Sequence, residues 1–210
     1  MKSQMEFNWV FIIIAGAIIL TFFATFAFKY KSLQEERLAI ELLINLDNSL
    51  LNLQSSPFNT FDIIDVPKNV EITCNNLKIK NRNYLNNNLI FSPKNLNDKV
   101  YIWYKPFNFP FKVDNFYYII DKENKFYLVY DRESENFAQS LREELPGNFK
   151  QNIVLITEKK LNGKNIFLYN TQTNDVKILN QNNKISIYHN NKIYEDVNKE
   201  LIYGAIFSDD

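Results

Sequence analysis

FYLVYDRESENFAQSLREELPGNFKQNIVLITE, residues 126–158, changes its hydrophobic period twice, and that change decides how most of this 210-residue chain folds. Residues 126–130 form a continuous apolar and aromatic run of strand length. Over 134–145 the apolar residues Phe137, Ala138, Leu141 and Leu145 recur at helical spacing, and Pro146-Gly147 ends the pattern. Asp131 and Ser134 stand where a helix cap is needed. Residues 153–158 then read as a second buried strand. Strand, helix, strand predicts a βαβ crossover, which sets the two strands parallel within a mixed sheet.

Working outward, strands are expected at 61–66, 70–80, 89–92, 100–105 and 116–121, with KENK (122–125) as a hairpin turn before 126–130. Downstream, NIFLYN (165–170), VKILN (176–180), KISIYHN (184–190) and KIYE (192–195) are short runs divided by Asn-rich turns, and they predict a meander. The apolar run 201–207 reads as a last strand. Residues 57–210 are therefore expected to form one β-rich α+β head with a sizeable core. Within it, YIWYKPFNFPFKVDNFYY (101–118) is half aromatic. Pro106 and Pro110 argue for an edge or an irregular extended segment there. Trp103, Phe107, Phe109 and Phe111 are then either an exposed surface for a protein or glycan partner, or rings that fill the core beneath the N-terminal helix.

The other end of the chain has a different character. WVFIIIAGAIILTFFATFAF (9–28) carries no charge, and as a helix its 20 residues span about 30 Å, the thickness of a bilayer core. Cleaved signal peptides have apolar runs of roughly 7–15 residues. Residues 1–30 are accordingly expected to be a retained transmembrane anchor whose partner is the lipid bilayer, with Trp9 and Tyr30 as interfacial anchors. Ala17, Thr21 and Thr25 share one helix face, as small residues do where membrane helices approach closely, and as they also do in any membrane helix. Residues 31–56 continue as an amphipathic stalk: Ala39, Leu42, Leu43, Leu46, Leu50 and Leu53 form an apolar stripe that ends before Ser55-Ser56-Pro57. That stripe packs either on its own head or on another copy of the chain. The fold class expected overall is α+β: a transmembrane helix running into an amphipathic helix, then a mixed-sheet head with one βαβ unit.

The N-terminus MKSQMEFNWVFIIIAGAIIL resembles that of uncharacterised membrane proteins of small-genome archaea. More loosely it is similar to archaeal type IV pilin-like proteins with a class III signal. In those families a basic and a small residue precede the cleavage point, matched by Lys2-Ser3 before Gln4, and an apolar helix follows. Glu6 would be the third mature residue, where the families carry glutamate at the fifth. The resemblance implies a head on the outer side of the membrane; self-association is the reading that the Ala17, Thr21 and Thr25 face and the stalk stripe leave open. The flanking charges, with Lys29, Lys31 and Arg37 against Lys2 and Glu6, point to a cytoplasmic head instead. So does the absence of an N-x-[ST] sequon among 31 Asn.

Composition removes most chemistry. Equal counts of 24 basic and 24 acidic residues leave no electrostatic footprint for nucleic acid. One Cys and one His exclude a disulfide framework, a Cys-rich zinc site and any multi-histidine metal site. Outside the apolar run the glycines are Gly147, Gly163 and Gly204, too dispersed for a phosphate-binding loop or a nucleophile elbow. His189 reads as a polar residue beside a turn, Cys74 as a small strand residue, and Asp62 and Asp65 as turn or edge acids. The catalytic candidates come from topology: Asp131 ends the first strand of the βαβ unit and Glu158 the second, the edge where open α/β sheets bind ligands. They form either an acid pair for a hard cation or acid–base work, or a helix cap and a solvated acid. The function expected is a non-catalytic structural or interaction role without cofactor. The alternatives are a membrane-tethered hydrolase using those acids and a cytoplasm-facing assembly factor.

Overall fold

The computed structural model describes residues 2–54, 60–73, 76–79, 82–85, 89–109, 111–181 and 184–209. It contains one long apolar N-terminal helix followed by mixed sheets, an α+β protein. By its contacts the chain divides into two compact units, Met1–Ile44 and Asn45–Asp210.

The first unit is the greater part of helix α1 (Lys2–Gln54). Among the described residues this is the one helix long and apolar enough to cross a membrane. Its large apolar side chains between residues 9 and 28 face outward: Trp9 is 70%, Phe11 71% and Phe28 74% exposed. The Thr21 hydroxyl donates to the Ala17 carbonyl at 2.7 Å and that of Thr25 to the Thr21 carbonyl at 2.8 Å. Both hydroxyls are therefore satisfied within the helix and present mainly their methyl groups outward.

The second unit begins with the end of α1, where Leu46, Leu50 and Leu53 are buried. Tyr117 donates its hydroxyl to the Leu50 carbonyl at 3.1 Å, so this part of the stripe packs on its own head. Residues 55–59, where the helix stop is expected, lie outside the described residues.

Two six-stranded sheets follow. The first contains β1 (Thr60–Thr73), β2 (Asn76–Ile79), β3 (Arg82–Leu85), β4 (Leu89–Phe91), β5 (Asn95–Phe109) and β6 (Phe111–Asp121), in the order β3-β2-β1-β5-β6-β4. Runs 61–66 and 70–73 belong to one strand with an irregularity between Val66 and Val70, and Cys74 lies outside the described residues. The second contains β7 (Phe126–Val129), β8 (Ile153–Ile156), β9 (Lys164–Phe167), β10 (Val176–Gln181), β11 (Lys184–His189) and β12 (Lys192–Tyr194), ordered β12-β11-β10-β9-β7-β8. The expected βαβ unit is present: β7 and β8 run parallel with Val129 opposite Ile156, joined through α2 (Glu135–Glu143) and α3 (Gly147–Lys150). Both faces of β7 are covered, which explains its continuous apolar run.

Four expectations are corrected. KENK is not a hairpin turn, because β6 and β7 belong to different sheets. The Asp121 carboxylate accepts from the backbone N–H of Glu123 and Asn124 at 3.0 and 2.7 Å. The buried Asn152 amide donates to the carbonyls of Asp121 and Asn124, fixing the link between sheets. The meander is confined to β10, β11 and β12, since β9 runs parallel to both β7 and β10. At its β11–β12 turn Asn190 and Asn191 both have positive φ, 49° and 60°, a conformation that Asn tolerates and two-residue hairpins need.

The aromatic segment is likewise not an edge over 101–104, where β5 lies between β1 and β6. Its pairing with β1 is described as far as Thr60 opposite Tyr104, and residues 55–59, which precede Thr60, lie outside the described residues. Trp103 is 1% exposed and so belongs to the core, not to a partner surface. The side chains of Phe107, Phe109 and Phe111 lie outside those described.

The run 201–207, expected as a strand, is the helix α4 (Lys199–Phe207). Asn198 caps it, its side chain accepting from the Leu201 N–H at 3.1 Å. Ile202, Tyr203, Ile206 and Phe207 are buried at i, i+1, i+4 and i+5, the helical period. At Gly204 a Cβ would lie 2.6 Å from the Phe91 ring, so only glycine permits this approach of α4 to β4. The Lys164 ammonium binds the carbonyls of Ala205 and Ser208, where a cation opposes the helix dipole. Replacing Asn198 by Ala removes the cap, and urea unfolding should record a loss of about 1 kcal/mol.

The core joins both sheets. Trp103 and Tyr118 from the first, Phe126 and Ile166 from the second, Leu141 and Phe149 from α2 and α3, and Tyr203 and Phe207 from α4 form one cluster. Burial, then the neighbouring acids, raises the phenol pKa of Tyr118 and Tyr203 far above the ordinary value, so both remain donors. Tyr118 donates to the Glu200 carbonyl at 2.8 Å and Tyr203 to the Leu141 carbonyl at 3.2 Å. Lys105 pairs with Glu200 at 2.9 Å beside these rings.

Candidate functional site

The parallel part of the second sheet runs β8-β7-β9-β10. From the carboxyl end of β7 the chain leaves through α2 and α3 towards β8 on one side. From the carboxyl end of β9, residues 168–175 lead to β10 on the other. Backbone bonds hold the fork: Tyr130 N–H donates to the Ile156 carbonyl at 3.0 Å and Leu168 N–H to the Val129 carbonyl at 2.9 Å. Connections that diverge from adjacent parallel strands leave a crevice, the usual ligand position in open α/β sheets.

A crevice of about 350 Å³ lies here. Asp131, Glu133, Ser134 and Phe137 line it from the corner between β7 and α2. Leu168, Tyr169 and Asn170 follow β9, and Leu179, Asn180 and Gln181 close β10. The corner is held by Asp131, whose carboxylate accepts from the Ser134 hydroxyl at 2.6 Å and the Ser134 N–H at 2.9 Å. The Ser134 oxygen in turn accepts from the Asp131 N–H at 3.0 Å. Ser134 occupies the N-cap position of α2 without a side-chain cap bond, because its hydroxyl is committed to Asp131. That hydroxyl bond, with the backbone N–H groups of the turn, holds the Asp131 carboxyl below its ordinary value of 3.8.

A folded-state pKa below the unfolded one contributes stability above the unfolded value and loses it as pH falls through the folded one. Asp131→Ala should cost about 0.5–1 kcal/mol at neutral pH, the net contribution of its hydrogen bonds with Ser134. The gap between the urea midpoints of variant and wild type should narrow below pH 4, as the wild-type carboxyl takes up its proton.

Of the two expected acids, Asp131 lines the crevice. Glu158 is exposed beyond the end of β8 and is not among the lining residues. Tyr169, Asn170, Asn180 and Gln181 were not anticipated. Tyr169 and Asn170 close the run NIFLYN, and reading that run as a third parallel strand places them on the same sheet edge as Asp131. His189 is half-buried and lines a separate hollow of about 470 Å³ with Asp175, Lys177 and Lys192. Asp62 accepts from the Ile63 N–H at 2.8 Å, in keeping with a backbone role. Among the described residues no three His, Cys, Asp or Glu gather as metal ligands. Comparison with protein-family models, with curated proteins and with solved structures finds no match to this chain.

Proposed function

We propose that this chain is a single-pass membrane protein that holds a non-catalytic binding head at the outer face of the bilayer. The observation that carries the reading is the outward exposure of the uncharged helix 9–28, whose Phe, Ile, Leu and Trp side chains find no cover. Such a surface is stable in hydrocarbon and costly in water. The head supports a binding role by its switch-point crevice. The Asp131 carboxylate that could act there is already committed to Ser134 and remains ionised at neutral pH. In its narrower form the proposal is a pilin-like subunit, supported by the unbroken helix Lys2–Gln54 and the packing of its last turns on the head.

The test joins extraction with labelling. Membranes are washed with alkaline carbonate, and intact cells carrying Leu161→Cys in a Cys74→Ser background receive an impermeant maleimide. Leu161 is 99% exposed, so a cysteine there is reachable wherever the head resides. The chain should stay in the pellet and take label without lysis. Release by carbonate ends the anchor reading. Labelling only after lysis reverses the sidedness, in favour of the cytoplasm-facing assembly factor. Mass spectrometry of the mature N-terminus decides the narrower form, since an intact Lys2-Ser3-Gln4 end is incompatible with pilin-like processing.

A further inference from the structure

We infer that the switch-point crevice binds a neutral saccharide. Taking the head as a binding module, the question is which ligand chemistry its walls accept. In doubly wound sheets that bind nucleotides, phosphate sits on the N-terminal N–H groups of the helix after the first strand, reached through a glycine-rich turn. Here the turn is DRESEN, without glycine, and the Asp131 carboxylate already accepts from Ser134 N–H. With Glu133 also on the wall, a phosphate or carboxylate ligand would meet two negative charges at close range.

The remaining groups narrow the class. Glu133, Asn170, Asn180 and Gln181 line the crevice, and among the described residues their side chains make no hydrogen bond or ion pair. Carboxylates only accept, whereas carboxamides both accept and donate. Sugar hydroxyls match both kinds, while an ammonium, a pure donor, would leave the amide N–H groups unmatched. Tyr169 and Phe137 add half-buried aromatic surface for the C–H face of a sugar ring. A volume of about 350 Å³ lies near the lower end of small-ligand pockets, roughly 300–1,000 Å³, which suits a mono- or disaccharide.

The experiment uses the full chain in a detergent without a sugar headgroup. Saturation-transfer difference NMR is run with glucose, galactose, mannose, N-acetylglucosamine and cellobiose, with ATP, inorganic phosphate and spermine as contrasting probes. At least one saccharide should receive saturation. Asn180→Ala combined with Gln181→Ala, both exposed positions at the end of β10, should weaken it roughly tenfold, the loss of one or two hydrogen bonds. Asn174→Ala, in the separate hollow, should leave it unchanged. No transfer to any of the five saccharides overturns the inference, as does an undiminished signal in the double variant. Binding of ATP, phosphate or spermine in their place overturns it too. Because the measurement is made in micelles, its failure leaves the anchor reading to the carbonate wash.

Discussion

Ile18→Arg together with Ile19→Arg should move the chain from the carbonate-resistant pellet to the supernatant while the head keeps its fold. The two positions lie at the centre of the uncharged run 9–28. Each arginine at the centre of a membrane helix costs about 2.5–3.5 kcal/mol for insertion, so the pair opposes integration by roughly 5–7 kcal/mol. The wild-type helix has nothing comparable to overcome, since Ile18 and Ile19 are 65% and 57% exposed and contribute to no core. The head should not respond, because Ile18 and Ile19 lie outside the unit Asn45–Asp210 and the buried apolar residues, among those described, begin only at Ala39. Limited proteolysis of the released protein should therefore give the wild-type resistant fragment. If the double variant remains in the pellet with its head folded, helix 9–28 is not what holds the protein to the membrane.

The readability of this chain follows from which interactions are local. The βαβ unit was legible because period and punctuation lie within residues 126–158, and its strands pair in parallel as the pattern implies. The long apolar helix was legible for the same reason. Residues 201–207 were misread because LIYGAIF is apolar almost throughout, and without polar residues a period of two cannot be told from one of 3.6. Asn198 just before it was the available signal of a helix start. KENK was misread because its flanking strands look like hairpin partners. What separates them is the Asn152 amide, far along the chain, holding the carbonyls of Asp121 and Asn124.

The crevice was half legible. Asp131 and Ser134 follow from the end of a recognisable strand. Tyr169, Asn170, Asn180 and Gln181 depend on β9 inserting between β7 and β10, a choice made by pairings such as Val129 with Phe167 and Val176 with Ile166. A sheet order set by contacts between separate segments leaves little trace in any one of them. The half-aromatic segment shows the same limit in packing. Its rings were countable, but whether Trp103 faces solvent or core depends on α4 arriving beside it, with Tyr203 at 5.2 Å between ring centroids.

The arrival of α4 also fixes where the head is most vulnerable. Phe207→Ala should destabilise the head by about 3–5 kcal/mol, the range for removing a fully buried phenylalanine. Phe207 is 0% exposed. Its ring meets Phe126 of β7 at 5.1 Å, Phe149 of α3 at 5.3 Å, Tyr118 of β6 at 6.0 Å and Tyr203 at 6.4 Å. One side chain thus touches both sheets, and truncating it opens a cavity where neither sheet can close without the other moving. Against a total stability of roughly 5–15 kcal/mol for a domain, the loss is a large share. Urea unfolding followed by fluorescence, in a Trp9→Phe background that leaves Trp103 as reporter, should show one cooperative transition at a much lower midpoint. Leu161→Ala, at an exposed loop position, should stay within about 0.5 kcal/mol of wild type. Two separate transitions in Phe207→Ala would mean that the sheets unfold independently and that α4 is not the element joining them.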